Sequence, residues 1–61
     1  MQFWSFVVVN EHGQVIDFGT YYHRQCCIDT AFANEPSKGC VLTIIRHDDD
    51  GNATIEPAHV V

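Results

Sequence analysis

The sequence predicts a small α+β domain of order ββαββ: a mainly antiparallel four-stranded sheet with one helix packed across one face. Three observations lead there. Two stretches rich in β-branched and aromatic residues each run into a glycine turn and a shorter return stretch, and between these hairpins lies one segment of helical periodicity that a proline ends. The 61 residues make a single domain, residues 1–61.

Gln2–Asn10 (QFWSFVVVN) reads as the first strand, because aromatic and β-branched side chains fit a pleated surface. Asn10-Glu11-His12-Gly13 follows, with Gly13 placed to take positive φ in a type I turn plus bulge. Gln14–Gly19 (QVIDFG) is the return strand. Closing Asn10 against Gln14 sets Val8 opposite Ile16 and Phe6 opposite Phe18. Trp4, Phe6, Val8, Ile16 and Phe18 then share one face, and Phe3, Ser5, Val7, Val9, Val15 and Asp17 share the other. Both faces are largely apolar, and a one-residue slip would exchange them without removing the surplus.

Thr20 is the expected N-cap of a helix over Tyr21–Glu35, which Pro36 terminates. At 100° per residue, Tyr21, Cys27, Ile28, Ala31 and Phe32 form the stripe facing the sheet. Tyr22, Cys26 and Ala33 form a weaker ridge behind it. Ser37-Lys38-Gly39 is a short loop, and Cys40–His47 (CVLTIIRH) is the second apolar strand. Asp48-Asp49-Asp50-Gly51-Asn52 turns the chain, with Asp-Gly as its strongest signal. Ala53–Glu56 returns as a short strand that Pro57 confines to an edge, and Ala58–Val61 is an irregular or weakly paired tail. The first and third strands are the most apolar and belong in the middle, giving the order 2-1-3-4. Gly13, Gly19, Gly39 and Gly51 are all expected at turns.

A chain of this length buries only about 60% of its unfolded surface, so a lone core is marginal and small domains gain from cross-links, metal or association. Disulfides are disfavoured: three cysteines is an odd number, and Cys26 and Cys27 are adjacent. Met1-Gln2 lacks the basic start of a secretory signal, and no segment reaches the roughly 20 apolar residues of a membrane span. A cytoplasmic protein with reduced thiols and no membrane contact is expected. Eight acids against three bases give a net charge of −5. That balance disfavours direct nucleic acid binding; its plain reading is solubility, and its functional reading is attraction to a protein partner with a basic surface.

Each chemical motif has a plainer alternative. The Asp48–Asn52 run fails as an EF-hand, since counting from Asp48 puts glycine fourth and His59 twelfth, where a glycine sixth and a Glu twelfth are required. Its three carboxylates still project a concentrated negative field. His23, Cys27 and Cys40 invite a zinc reading, but there is no Cys-x-x-Cys pair, and cysteine often fills cores as a small hydrophobe. Cys26 near His23 is the one local nucleophile arrangement, and an acidic chain raises a thiol pKa instead of lowering it. No catalytic residue, metal site or cofactor is expected, and the chain reads as a non-enzyme. Tyr22, with Arg24, Cys26, Asp29 and Ala33, offers an exposed contact surface on the helix.

In its brevity, net acidity, hairpin–helix–hairpin order and want of a catalytic motif, the chain resembles the small single-domain α+β inhibitors encoded by phages and mobile elements, anti-CRISPR proteins among them. The resemblance spans the whole chain and carries no residue motif: neither VVVNEHG nor RHDDDG matches a signature, so no functional residue transfers. It implies a partner that handles nucleic acid in a host cytoplasm, with some such proteins acting as DNA mimics.

Two functional expectations result. One is an acidic protein-binding module, an inhibitor or modulator of a basic partner, using Glu11, Asp17, Asp29, Asp48, Asp49, Asp50, Glu56 and Tyr22. The other is a homodimer built from Phe3, Val7, Val9 and Val15 packed against the same patch of a twin. A Cys/His metal protein is the third and weakest alternative.

Overall fold

The computed structural model describes the whole chain, Met1–Val61. Its elements are β1 (Phe3–Val9), β2 (Val15–Tyr21), α1 (Arg24–Ala33), β3 (Val41–His47), β4 (Ala53–Ile55) and β5 (His59–Val60). The antiparallel sheet has the order β2-β1-β3-β4, as the apolarity of the first and third strands predicts. β5 also pairs with β3 through two residues, so of the two forms expected for the tail it takes the weakly paired one. β4 lies along Ile45–His47 and β5 along Val41–Leu42, and the Glu56 N–H donates to the Ile44 carbonyl between them. The fourth position is thus one edge strand interrupted at Pro57, which has no N–H to give the ladder. Val61 closes it, donating to Cys40 O and accepting from Gly39 N–H.

The same turn is built twice. Asn10 N–H donates to Gln14 O while Asn10 Oδ1 accepts from the His12 and Gln14 N–H groups, and Gly13 takes φ 80°. Asp48 N–H donates to Asn52 O while Asp48 Oδ1 accepts from the Asp50 and Asn52 N–H groups, and Gly51 takes φ 84°. In each turn a short Asx side chain holds the loop and a glycine supplies the left-handed residue.

The first hairpin departs from the expected register one step beyond its turn. Val9 faces Val15 as predicted, but a bulge follows, so Val8 faces Asp17, Phe6 faces Gly19 and Trp4 faces Tyr21. The extra residue, Ile16, reverses every side chain after it. Asp17, Gly19 and Tyr21 turn toward the helix, while Phe18 moves out of the predicted core set onto the opposite face. Asp17 leaves the face it was expected to share with Val15. Gly19 is therefore a strand residue, not a turn residue. A Cβ there would lie 2.8 Å from Phe6 Cε1, so the missing side chain is what lets the Phe6 ring lie across β2.

The same ladder shortens the helix. Thr20 and Tyr21 pair with Ser5 and Trp4 and remain in β2, so Thr20 is no N-cap and Tyr21 no helical residue. His23 occupies the N-cap in extended backbone, without a side-chain cap bond. At the other end Asn34 Nδ2 donates to Asp17 Oδ2 at 2.7 Å, and Glu35 turns left-handed (φ 49°) ahead of Pro36. Of the predicted stripe, Cys27 and Ala31 are buried and Ile28 packs on the core, whereas Phe32 is exposed. The core is small: only Phe6, Val8, Cys27, Ala31, Cys40, Leu42 and Ile44 are fully buried, with Trp4, Ile28 and Val61 packed against them. Cys27 Sγ–H donates to Trp4 O at 3.5 Å, and burial pushes its thiol pKa up. Cys27 and Cys40 are core fillers, as expected of buried thiols.

Candidate functional site

Alternation along the strands sends Trp4, Phe6, Val8, Leu42 and Ile44 to α1, and their neighbours to the other side of the sheet. No element packs on that other side. Its residues fall into rows set by the register. Val15, Val9, Val41 and Val60 form one row, and Phe18, Val7 and Thr43 the next. Thr20, Ser5, Ile45 and Ile55 form the third, and Phe3, His47 and Ala53 the last. No carboxylate lies in any of them. Val15 is 59% exposed, Phe18 75%, Ile55 70% and Val60 76%. Phe3, Val7 and Val9 are half-buried by their strand neighbours alone. All four predicted self-association residues thus share one uncovered face.

Three polar groups on this face, Ser5, Thr20 and His47, bond to one another, whereas the Thr43 hydroxyl makes no such bond. Ser5 Oγ lies 3.1 Å from Thr20 Oγ1 and 3.0 Å from His47 Nε2, and the His47 ring stacks on Phe3 at 4.3 Å. At one corner Phe3 and Thr20, with Tyr21 and Tyr22 where the chain leaves for the helix, border an open notch of about 530 Å³.

The predicted acidic set does not come together. Glu11 sits in the turn after β1, exposed, at the opposite end of the sheet from the Asp48–Asn52 turn. Asp48 is occupied by its own turn, and the Asn52 and Asp50 backbone N–H groups hold its carboxyl below the usual range. Asp49 pairs with the Met1 amine, and Asp50 is exposed. Asp17 is spent on Asn34 and on the Phe18 N–H. Asp29, on the exposed side of α1, accepts from Gln25. Glu56 receives Arg24 Nε at 2.9 Å on both oxygens. That hydrogen bond lowers the Glu56 pKa and raises that of Arg24, tying the start of α1 to the edge strand. Tyr22 is exposed beside the notch.

No group of three or more His, Cys, Asp or Glu side chains is placed to hold a metal ion. The residues that invited a zinc reading are divided: Cys27 and Cys40 are buried in the core and His23 is exposed at the helix N-cap. No helix is long and apolar enough to cross a membrane. No protein-family model, curated protein or solved structure matches the chain.

Sequence reasoning missed Phe18, the most exposed aromatic side chain of the face, because the bulge cannot be read from alternation alone. One signal was available. A glycine within a strand needs a large neighbour to cover it, and setting Gly19 opposite Phe6 forces the extra residue at Ile16 and turns Phe18 outward.

Proposed function

We propose that the protein works by binding other proteins and not by catalysis, with the uncovered sheet face as its docking surface. The observation that supports this best is the set Val15, Phe18, Ile55 and Val60, each more than half exposed on one carboxylate-free face. Contiguous apolar surface of this kind marks interaction sites on soluble proteins. The chain's net charge is −5, and none of its acidic side chains lies in that face; those of the Glu11 and Asp48–Asn52 turns stand at its two ends. Such an arrangement suits a basic partner: rim charges steer encounter while the apolar centre supplies the desolvated area. On this reading the protein is an inhibitor or modulator of a basic, nucleic-acid-handling protein. Its exposed carboxylates are dispersed over the Glu11 turn, the Asp49–Asp50 tip and Asp29, so they supply general attraction and not a row of phosphate substitutes.

The test is affinity capture from the native host with wild-type protein and a Phe18→Asp variant. A basic protein captured by the first and lost from the second supports the reading. Equal capture by both rules out the face as the docking surface.

A further inference from the structure

We infer that the uncovered face is filled by a second copy of the chain, in a two-fold dimer that seats Phe18 of each protomer in the Phe3–Thr20–Tyr21–Tyr22 notch of the other. The inference rests on the reading of this face as a docking surface, and it names the occupant.

Self-complementarity is the first argument. An isologous interface needs a projection and a matching recess on the same patch. Phe18, three-quarters exposed, stands on β2 two residues before Thr20, which borders a notch of about 530 Å³. That is ample room for a phenyl ring. A two-fold axis lying between the stacked sheets and crossing β2 near Thr20 carries each Phe18 over the other copy's notch. Sheets packed in this way sit about 10 Å apart with their side chains interdigitated.

Charge and polarity allow it. Two copies each carrying −5 repel at long range, but no carboxylate would be buried between them. The hydroxyls of Ser5 and Thr20 and the His47 ring are already joined by hydrogen bonds, so covering them leaves those groups partnered. A basic partner would dock on the same face, so it competes with the second copy and binds the separated protomer.

Size fits a weak dimer. Three strands are seven residues long and the fourth edge is two short pieces, so with about 4.8 Å between strands and about 3.3 Å per residue the face presents roughly 400 Å² in projection. With the axis near Thr20 three of its four rows overlap the other copy, and the total buried, with side-chain relief, stays below the ~1,200 Å² of standard interfaces and in the range of weak association. The chain also has a reason to associate, because only seven of its 61 residues are fully buried.

The sheet edges, the other route to self-pairing, are blunted. β2 carries the bulge at Ile16, and Asp17 takes up the Phe18 N–H, while the opposite edge is broken at Pro57. Both are recognised devices against edge-to-edge addition. The face has no such device.

Sedimentation equilibrium of the purified chain at high micromolar concentration should give twice the protomer mass of 6.9 kDa. Phe18→Ala should weaken the dimer by roughly 30-fold or more, as expected for an aromatic anchor. Thr20→Arg, which blocks the notch while leaving Phe18 in place, should do the same. Circular dichroism should show both variants folded, since neither side chain is in the core. In a Cys26→Ser background, a mixture of Phe18→Cys and Tyr22→Cys chains should cross-link faster than either chain alone. A monomeric wild type overturns the inference while leaving the capture of a basic partner standing. A dimer indifferent to both Phe18→Ala and Thr20→Arg overturns it equally, by placing the contact elsewhere.

Discussion

The two faces of the sheet are made from the same strands and nearly the same residue types, yet they have opposite fates. On one, Phe6, Val8, Leu42 and Ile44 are sealed beneath α1; on the other, Phe18, Ile55 and Val60 keep most of their surface in water. The difference lies in what is available to cover them. A helix of ten residues is about 15 Å long and can roof one face only. It comes close because it presents Cys27 and Ala31, small side chains, to the sheet. Hydrophobic composition therefore sets how much surface would be better buried, and the number of covering elements sets how much is. The remainder stays in water.

The comparison is broken most severely from the covered side. Phe6→Ala should cost about 3–5 kcal/mol. A chain of this size has roughly 3–9 kcal/mol in all, so the variant should be largely unfolded by circular dichroism. Phe18→Ala, the same chemical change on the open face, should alter protomer stability by less than about 0.5 kcal/mol when unfolding is measured at a dilution that keeps the chain monomeric.

Gly19→Ala is the next largest effect. Its Cβ would meet the Phe6 ring at 2.8 Å, an overpacking that should cost about 1–3 kcal/mol by urea denaturation. The penalty should shrink when Phe6 is also changed to Leu, because the clash is with that ring. Strictly additive effects in the double variant would contradict the stated cause.

The fold was largely legible in the sequence, and the site only in part. Strand order followed from the apolarity of Gln2–Asn10 and Cys40–His47, and the turns from Asn10, Gly13, Asp48 and Gly51. Surplus apolar surface was visible because Phe3, Val7, Val9 and Val15 alternate with a second apolar set. Which residues form the face was not visible, since one inserted residue at Ile16 reverses the rest of β2. The helix start at Arg24 was hidden for a related reason: pairing of Thr20 and Tyr21 with β1 outweighs the capping preference of threonine. The dispersal of the carboxylates was also unreadable, because the commitment of Glu56 to Arg24 and of Asp17 to Asn34 depends on tertiary placement.

Acid sharpens the contrast more gently. Asp48 and Glu56 both hold their protons less readily in the fold than in the unfolded chain, through the Asn52 N–H and Arg24 respectively. Their stabilising effect is therefore complete above the ordinary carboxylate range, near pH 4, and is lost as pH falls through their lower folded values. Acid unfolding followed by circular dichroism should have a shallower pH dependence in Asp48→Asn/Glu56→Gln. The turn should survive Asp48→Asn, since Asn10 does the same work in the first hairpin. Neither group lies on the open face, so the variant should associate as the wild type does.

The central claim is that the open face receives a second copy of the chain and is not merely uncovered. Methyl-resolved NMR across a dilution series, from millimolar to low micromolar protein, tests it most directly. Valine and isoleucine methyls of Val7, Val9, Val15, Val41, Ile45, Ile55 and Val60 should shift with concentration, while those of Val8, Leu42 and Ile44 beneath the helix stay fixed. Concentration-dependent shifts confined to the helix or the acidic turn, or none anywhere in the series, would contradict the account.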